Sequence, residues 1–169
     1  MPAAPAPPPA AQTGLQGRYA GAVSRFTAYA IDVAVSAIIY VLGLAASSYG
    51  ATIVTGHAVS WNRNSPLVIA LFVAWEFAYF AYSWAANGRT PGMALLGLRV
   101  VRSSGADLSG RRAVLRTLAF PLSFLVLGLG FALILVQRDR RALHDLIADT
   151  VVVYAWDARA ARLRYLSRP

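Results

Sequence analysis

Two carboxylates lie inside strongly apolar stretches of this sequence, where an unpaired charge is costly to bury. Asp32 falls in the run 26–49 and Glu76 in the run 66–86. An ionised side chain at the centre of a bilayer costs at least ~3 kcal/mol on insertion scales, so each acid needs a partner or a proton. We expect the two acids to lie at similar depth and to share a proton or a cation, which is chemistry suited to transport.

The polar residues of each run recur every three or four positions, so on a helix they form one face. In the first run this face comprises Arg25, Tyr29, Asp32, Ser36, Tyr40, Gly43 and Ser47. In the second it comprises Glu76, Tyr79, Ser83 and Asn87. Such faces pack together within bilayers, so we predict two antiparallel helices whose carboxylates face a common interior.

Two structural roles compete with a transport role for these acids. Arg25 precedes Asp32 by seven residues, or two helical turns, and could extend inward to pair with it. Alternatively, the acids could accept hydrogen bonds from serine and tyrosine hydroxyls and so lock the helices together.

Composition places the chain among membrane proteins. Its 169 residues are 57% hydrophobic and only 14% charged, an unusually apolar balance for a water-soluble domain. A third apolar run covers residues 113–136, and runs of about 18 or more residues predict membrane spans. The chain has no cysteine, and its two histidines show no metal-ligand spacing, so neither a metal nor a cofactor is predicted.

Shorter elements follow the second and third apolar runs. Residues 98–102 alternate like a strand, residues 141–148 suit a short helix, and the β-branched run 150–154 suits a second strand. The predicted fold is therefore an all-α membrane protein. It has two transmembrane helices, a third apolar segment that is either a re-entrant helical hairpin or a third span, and a small cytoplasmic two-strand element.

The arginines distinguish the two forms of the third segment. All sixteen basic residues are arginines, and a re-entrant hairpin would place fifteen inside and only Arg63 outside, whereas a full span would divide them equally. Pro121 and the Gly128-Leu129-Gly130 triplet offer places to bend, and we favour the hairpin. Because re-entrant backbone needs protein around it, we also expect an oligomer.

The motifs, taken in order, resemble those of the RDD family, small bacterial membrane proteins named for one arginine and two aspartates. The resemblance rests on Arg25 and Ile31-Asp32, on Thr90-Pro91-Gly92 with Gly97 to Val101, and on Leu143-His144-Asp145-Leu146 with Thr150 to Val153. It implies that Arg25 and Asp32 are the family's arginine and first aspartate, and that Asp145 is the second. The family usually has a lysine after the Thr-Pro-Gly turn, where this chain has Met93.

The resemblance implies a bacterial plasma membrane protein, and the placement of the arginines predicts that its N- and C-termini are cytoplasmic. Its function would be that of a small transporter or channel-like subunit for protons, cations or a small solute. The alternative is a membrane adaptor or assembly protein with no transport activity. Expected partners are anionic lipid headgroups and copies of the chain or other membrane proteins. Nucleic acid is not expected, since the arginines flank apolar runs.

No arrangement of a nucleophile with a base predicts an enzyme. His144 and Asp145 could relay protons, because a carboxylate orients an imidazole and tunes its pKa. Neighbouring residues on a helix point about 100° apart, however, which favours separate interfacial contacts for the two side chains.

Two tails flank the membrane domain, which we place at residues 18–154. Residues 1–17 are rich in proline and alanine and predict a disordered leader. Residues 155–169 are basic and, on a helix, would place arginines opposite Leu163 and Leu166, as in a helix that lies on an anionic leaflet.

Overall fold

Two long helices form the framework of the protein. The computed structural model describes residues 19–125 and 129–155, and of residues 124, 125 and 129 it describes only the backbone. Helix α1 is Ala22–Thr55 and helix α2 is Pro66–Asn87, so the helices predicted at 26–49 and 66–86 are confirmed with longer ends. At 1.5 Å per residue, α1 is about 51 Å long, well beyond the ~30 Å of a hydrocarbon core.

The buried residues of α1 are few and follow one line. They are Ala28, Asp32 and Ser36, spaced four residues apart, whereas Ile38, Leu42 and Ile53 are exposed. The predicted polar face therefore points inward and the apolar faces point outward. This arrangement is the reverse of a water-soluble helical bundle, which hides its apolar stripe.

A small sheet closes one end of the helix pair. Helix α3, Pro91–Leu95, leads into strand β1, Leu98–Arg102, which pairs antiparallel with strand β2, Thr150–Tyr154. Val100 lies opposite Val152, and Tyr19 forms a bridge to Val153 just before α1 begins. The predicted two-strand element is confirmed, and it holds the beginning of α1 and both strands at the same end of the molecule.

The third apolar run folds back on itself. Helix α4 is Gly110–Leu125 and helix α5 is Leu129–Val136. A Cβ on Gly130 would lie 2.6 Å from Ser123 Cα, and the Phe120 and Phe131 rings lie 5.7 Å apart between centroids. In one continuous helix, residues seven positions apart would be about 10 Å apart along the axis, so the chain must reverse between α4 and α5.

This reversal agrees with the hairpin alternative for residues 113–136, and the choice between a re-entrant hairpin and a third span in a membrane stays a prediction. The strands on either side of the run, β1 and β2, are hydrogen-bonded to each other, so the run begins and ends at the same end of the molecule. The depth of α4 and α5 in a bilayer stays a prediction. The expected oligomer also stays a prediction.

The core is concentrated at the sheet end. Helix α6, Leu143–Ile147, lies within the predicted helix at 141–148 and packs against α4. The main cluster of buried apolar residues comprises Ala20, Ala28, Phe80, Trp84, Met93, Leu98, Val100, Ala113 and Val152. Consequently the beginning of α1, the end of α2 and the sheet share one apolar core.

Candidate functional site

Asp145 is the centre of a buried ionic cluster. It is the third residue of α6, it is fully buried, and its Oδ2 accepts a hydrogen bond of 3.0 Å from the N–H of Ala142, just before the helix. The Arg25 guanidinium on α1 donates to Oδ2, and the Arg116 guanidinium on α4 donates to Oδ1. One carboxylate thus joins three helices, and it lies between two cations.

Arg116 also contacts two other polar side chains near Asp145. It donates a 2.8 Å hydrogen bond to Thr150 Oγ1 on β2 and lies 3.4 Å from His144 Nε2. Its guanidinium carbon lies 4.7 Å from the centre of the Trp84 ring, within cation–π range. Sequence reasoning did not select Arg116 as a site residue. Its position inside the apolar run 113–136 was the available signal, because a cation there needs a partner.

His144 lies beside Asp145 in the interior. Its Nδ1 is 2.9 Å from Ser123 Oγ, and its ring packs against Phe120 and Phe131, with centroids 4.9 and 5.6 Å away. The expectation of separate interfacial contacts for His144 and Asp145 is therefore wrong, because Arg116 is long enough to contact both. Since a guanidinium can only donate, Nε2 is the acceptor and Nδ1 carries the proton that Ser123 receives.

The electrostatics of this cluster assign its charges. Burial by itself would raise the pKa of the Asp145 carboxyl, but the Arg116 and Arg25 guanidiniums outweigh burial and hold that pKa well below its usual range. Burial lowers the pKa of His144 to about 3, and the arginines add to that effect while Asp145 opposes it. At neutral pH the cluster holds a carboxylate, two guanidiniums and a neutral imidazole. A neutral imidazole with its proton directed at Ser123 is poorly placed for a proton relay.

Asp32 is the centre of a second cluster, which contains no cation. It is buried at the interface of α1 with α2 and the Thr-Pro-Gly turn. Its Oδ1 accepts hydrogen bonds from the N–H of Gly92 at 2.7 Å and from the Tyr79 hydroxyl at 3.1 Å, and its Oδ2 accepts one from the Thr90 hydroxyl. Asp32 therefore fastens the turn before α3 onto α1.

Gly92 is required for this contact. A Cβ on this residue would lie 2.9 Å from Asp32 Cγ and would also press against the Ala28 carbonyl oxygen of α1. Thr90, the residue before Pro91, completes the turn by accepting a 3.3 Å hydrogen bond from the N–H of Met93. The Thr-Pro-Gly motif is thus a close-approach turn whose side chain and backbone are both directed at Asp32.

Glu76 makes a separate contact one turn away. It accepts a 2.5 Å hydrogen bond from Ser36 Oγ, while Trp75 Nε1 donates to the Ser36 carbonyl at 3.0 Å. Tyr40 donates to the Val68 carbonyl at 2.6 Å. Contacts that advance along α1 while receding along α2 confirm the predicted antiparallel pairing.

Of the two structural roles considered for Asp32 and Glu76, hydrogen bonding to hydroxyl groups is the one observed. Asp32 and Glu76 lie at neighbouring levels, about 6 Å apart along the helix axis, and each has its own hydroxyl donors. Arg25 pairs with Asp145 and not with Asp32. The sharing of a proton or a cation between the two acids stays a prediction.

The remaining predicted polar residues divide between these contacts and the helix surface. Tyr29 packs on Phe80 and Phe120, with ring centroids 5.7 and 5.2 Å away. Ser83 is half-buried one turn beyond Tyr79, and the hydrogen bonds of residues 19–125 and 129–155 do not bring it into either cluster. Within those ranges no group of three or more potential metal-ligating side chains occurs.

A cavity of about 350 Å³ lies between the two clusters. Its walls are mostly apolar and include six aromatic rings, those of Phe26, Tyr29, Phe80, Trp84, Phe120 and Phe131. Arg25, Arg116 and His144 line it toward the ionic cluster, and Asp32 and Thr90 line it toward the Thr-Pro-Gly turn. The volume lies at the lower end of the range for small-molecule pockets.

Comparison with known proteins identifies the family. The sequence model of the RDD family matches residues 19–149, which include the cavity and all residues of the two clusters except Thr150. The chain belongs to the RDD family. The RDD arginine and the two aspartates that carry the resemblance thus form two separate sites, one with Arg25 bonded to Asp145 and one with Asp32 alone.

A curated relative of this RDD protein is the uncharacterized protein YckC of Bacillus subtilis (strain 168), which is 34% identical over 99 residues. The alignment covers 56% of this chain and 64% of the relative, slightly under two thirds of the relative's length. No solved structure matches the chain.

Proposed function

We propose that this RDD protein is a multi-pass protein of the bacterial plasma membrane and that α1 and α2 cross the bilayer. Both helices are long and apolar enough to span, and only 11% and 22% of their most apolar stretches are buried within the protein. A core helix of a soluble protein would be mostly buried. Lipid is the environment that accommodates exposed Ile38, Leu42 and Ile53 beside an inward polar face.

The sheet end of the molecule is proposed to be cytoplasmic. Tyr19, β1 and β2 are joined by hydrogen bonds, so the chain before α1 and the segments around both strands share one side of the membrane. Arginines are concentrated on those segments, whereas the loop between α1 and α2 contains only Arg63. The positive-inside rule then assigns the loop to the outside.

Within this topology we propose that the protein is a small transporter or channel-like subunit whose cavity holds the transported species. The single observation that carries the proposal is the 350 Å³ cavity, lined by charged side chains at both ends and enclosed by helices from every part of the bundle. Ionisable groups inside a membrane bundle typically mark solute or ion pathways.

Among protons, cations and small solutes, the geometry favours a small solute. Asp32 already accepts three hydrogen bonds and Asp145 is already paired with two arginines, so neither presents a free oxygen to a bare cation. Glu76, which is half-buried and bonded to Ser36, does not line the cavity, so the solute proposed here would not contact it.

Flux through purified protein in liposomes tests the proposal. Vesicles would be loaded with a pH-sensitive dye, with sodium, or with a small-molecule extract of the source cells whose efflux is identified by mass spectrometry. We expect flux of at least one probe above protein-free vesicles. Asp32→Asn should lower it tenfold or more, because the turn that Asp32 holds forms part of the cavity wall.

Asp107→Asn is the matched control, because Asp107 is 82% exposed and pairs only with Arg99 on the surface. Its flux should equal that of the wild type. Absence of flux for all probes would instead favour the membrane adaptor. An adaptor should tolerate Asp32→Asn as long as the protein accumulates, and should depend on the segments 1–17 and 155–169.

A further inference from the structure

Hydrogen-bond donors outnumber acceptors at one end of the cavity. Arg25 and Arg116 share the single carboxylate of Asp145, so this end has a net charge of +1 when His144 is neutral. Arg25 Nη2 and Arg116 Nε are buried without a hydrogen-bond partner among the described residues. The Arg116 side chain is 96% buried, since only 4% of its surface is exposed, and both arginines line the cavity.

Buried donors without acceptors are costly, and more so when they are charged. An ordered water or a bound ligand can supply the missing acceptor. The acceptor that suits two adjacent guanidiniums is an oxyanion, because guanidinium N–H groups bond carboxylate and phosphate oxygens in paired geometry.

The rest of the cavity is apolar and matches a hydrophobic body. Six aromatic rings line it, together with Ala22, Ala28, Met93 and Ile134. Asp32, the other charged residue of the lining, lies two helical turns or about 10 Å from Arg25 along α1, and its oxygens are occupied by Tyr79, Thr90 and Gly92. An anion at Arg25 would thus lie well separated from the Asp32 carboxylate.

We propose that the cavity is a binding site for an anionic amphiphile, with its carboxylate or phosphate at Arg25 and Arg116 and its hydrocarbon among the aromatic rings. The chemistry is common to a membrane lipid with an anionic headgroup and to a free fatty acid or alkyl phosphate. The inference names the solute class for the proposed function, but the binding itself does not require that transport occurs.

Native mass spectrometry of the full-length protein in detergent tests this site with three probes: dodecanoate, dodecyl phosphate and the uncharged dodecanol. We expect one molecule of either anion to bind at least tenfold more tightly than dodecanol, since only the anions can form charge-assisted hydrogen bonds with the guanidiniums. Equal affinity for dodecanol and the two anions overturns the proposal.

Two variants locate the bound probe. Arg25→Gln should weaken the binding of both anions tenfold or more and leave the binding of dodecanol unchanged. Arg63→Gln, in the exposed outer loop, is its control.

Ile134→Phe fills the cavity without altering a charge and should abolish binding, whereas Ile53→Phe, on the exposed part of α1, should not. Melting temperatures recorded alongside show which variants are folded, and if Arg25→Gln unfolds, Ile134→Phe decides. Unchanged binding in a folded Ile134→Phe overturns the site.

The mass of any lipid that the protein retains on purification from membranes identifies the source of the ligand. A phospholipid mass that is retained by wild type and lost in Ile134→Phe identifies a membrane lipid. Binding of added dodecanoate or dodecyl phosphate without a retained lipid identifies a free amphiphile, and both results support the site. Binding without flux in the liposome assay would refute transport alone, and flux without preference for anions would refute this inference alone.

Discussion

The two buried aspartates, Asp145 and Asp32, are stabilised away from water by different kinds of partner. Both are almost completely inaccessible, yet Asp145 is paired with two guanidiniums, whereas Asp32 accepts hydrogen bonds from two hydroxyls and one backbone N–H. Asp145 lies on α6 at the sheet end, where α1 and α4 each contribute an arginine. Asp32 lies inside α1, among helices that contribute only uncharged donors.

The difference predicts how each cluster fails. A buried ion pair that loses one partner leaves an uncompensated charge, which costs several kcal/mol. A carboxylate held by several neutral donors loses less when one donor is removed, because the others remain. Asp145 should therefore be the critical residue for folding, and the Asp32 cluster should tolerate gradual change.

The largest effect is expected for Asp145→Asn. The substitution leaves Arg25 and Arg116 buried without a counter-charge, so the free energy of unfolding should fall by about 3–5 kcal/mol. Unfolding by SDS in mixed micelles, followed by tryptophan fluorescence, measures it. Asp149→Asn is the control, since Asp149 is 45% exposed and its pairs with Arg112 and Arg141 are surface contacts. Equal losses of unfolding free energy in Asp145→Asn and Asp149→Asn would mean that the buried ion pairs of Asp145 contribute no more than surface ion pairs.

Gly92→Ala tests how closely the Thr-Pro-Gly turn must approach Asp32. The added Cβ would meet Asp32 Cγ at 2.9 Å and the α1 backbone, so the turn must separate from the helix. We expect a loss of about 3 kcal/mol in the same unfolding assay, as for severe overpacking. Gly50→Ala, on α1 with nothing within 4 Å of the new Cβ, should instead stabilise by roughly 0.5–1 kcal/mol. An unchanged free energy of unfolding in Gly92→Ala would mean that the turn does not pack closely against Asp32.

A third prediction concerns the pH dependence of the free energy of unfolding, and it tests His144. The pKa of His144 is lowered from 6.5 to about 3 in the folded protein, so between these values the unfolded chain binds a proton that the folded protein does not. Stability should therefore fall as the pH is lowered, by about 1.4 kcal/mol per pH unit, or roughly 2 kcal/mol from pH 6.5 to 5. SDS unfolding across this range measures the slope.

His144→Gln should flatten that slope, since glutamine does not titrate. His57→Gln, in the exposed loop between α1 and α2, should retain the wild-type slope. The Asp145 carboxyl, whose pKa is held low mainly by Arg116 and Arg25 against the effect of burial, contributes stability that is lost only at more acidic pH. An unaltered slope in His144→Gln would assign the acid sensitivity to another group.

The smallest effect is expected for Tyr79→Phe. This change removes one of three donors to Asp32, and side-chain hydrogen bonds within membrane bundles average about 0.6 kcal/mol. Tyr82→Phe, on the outer face of α2 with 76% of the side chain exposed, is the matched control. A loss of unfolding free energy near that of Asp145→Asn would show that both clusters depend equally on a single interaction.

Much of the fold was predictable because its signals are local. The three- and four-residue spacing of polar side chains predicted which face of α1 turns inward, and Asp32, Ser36 and Tyr40 all make contacts on that side. Alternation and β-branching predicted β1 and β2, and the distribution of arginines favoured a third segment that returns to its starting side. Each of these patterns reflects the geometry of one element and the solvent around it.

The partners of the charged residues were not predictable in the same way. Arg25 and Asp145 are 120 positions apart, so their pairing depends on how α1, α4 and α6 pack. The seven-residue spacing from Arg25 to Asp32 allowed a pair that the structure does not form. Arg116 was not predicted as a site residue because its role depends on Asp145, His144 and Thr150, which are distant from it in the sequence.

By itself, the sequence determined the apolar helices, their inward polar face, the two strands and the membership of the RDD family, because periodicity and motif order are properties of the chain alone. Only the tertiary structure decided that the aspartates occupy two separate clusters, that residues 113–136 reverse direction, and that an aromatic cavity lies between the clusters. A buried charge can be recognised from one segment. Its partner is decided by which segments the packing brings within about 3 Å, the distance at which a hydrogen bond forms.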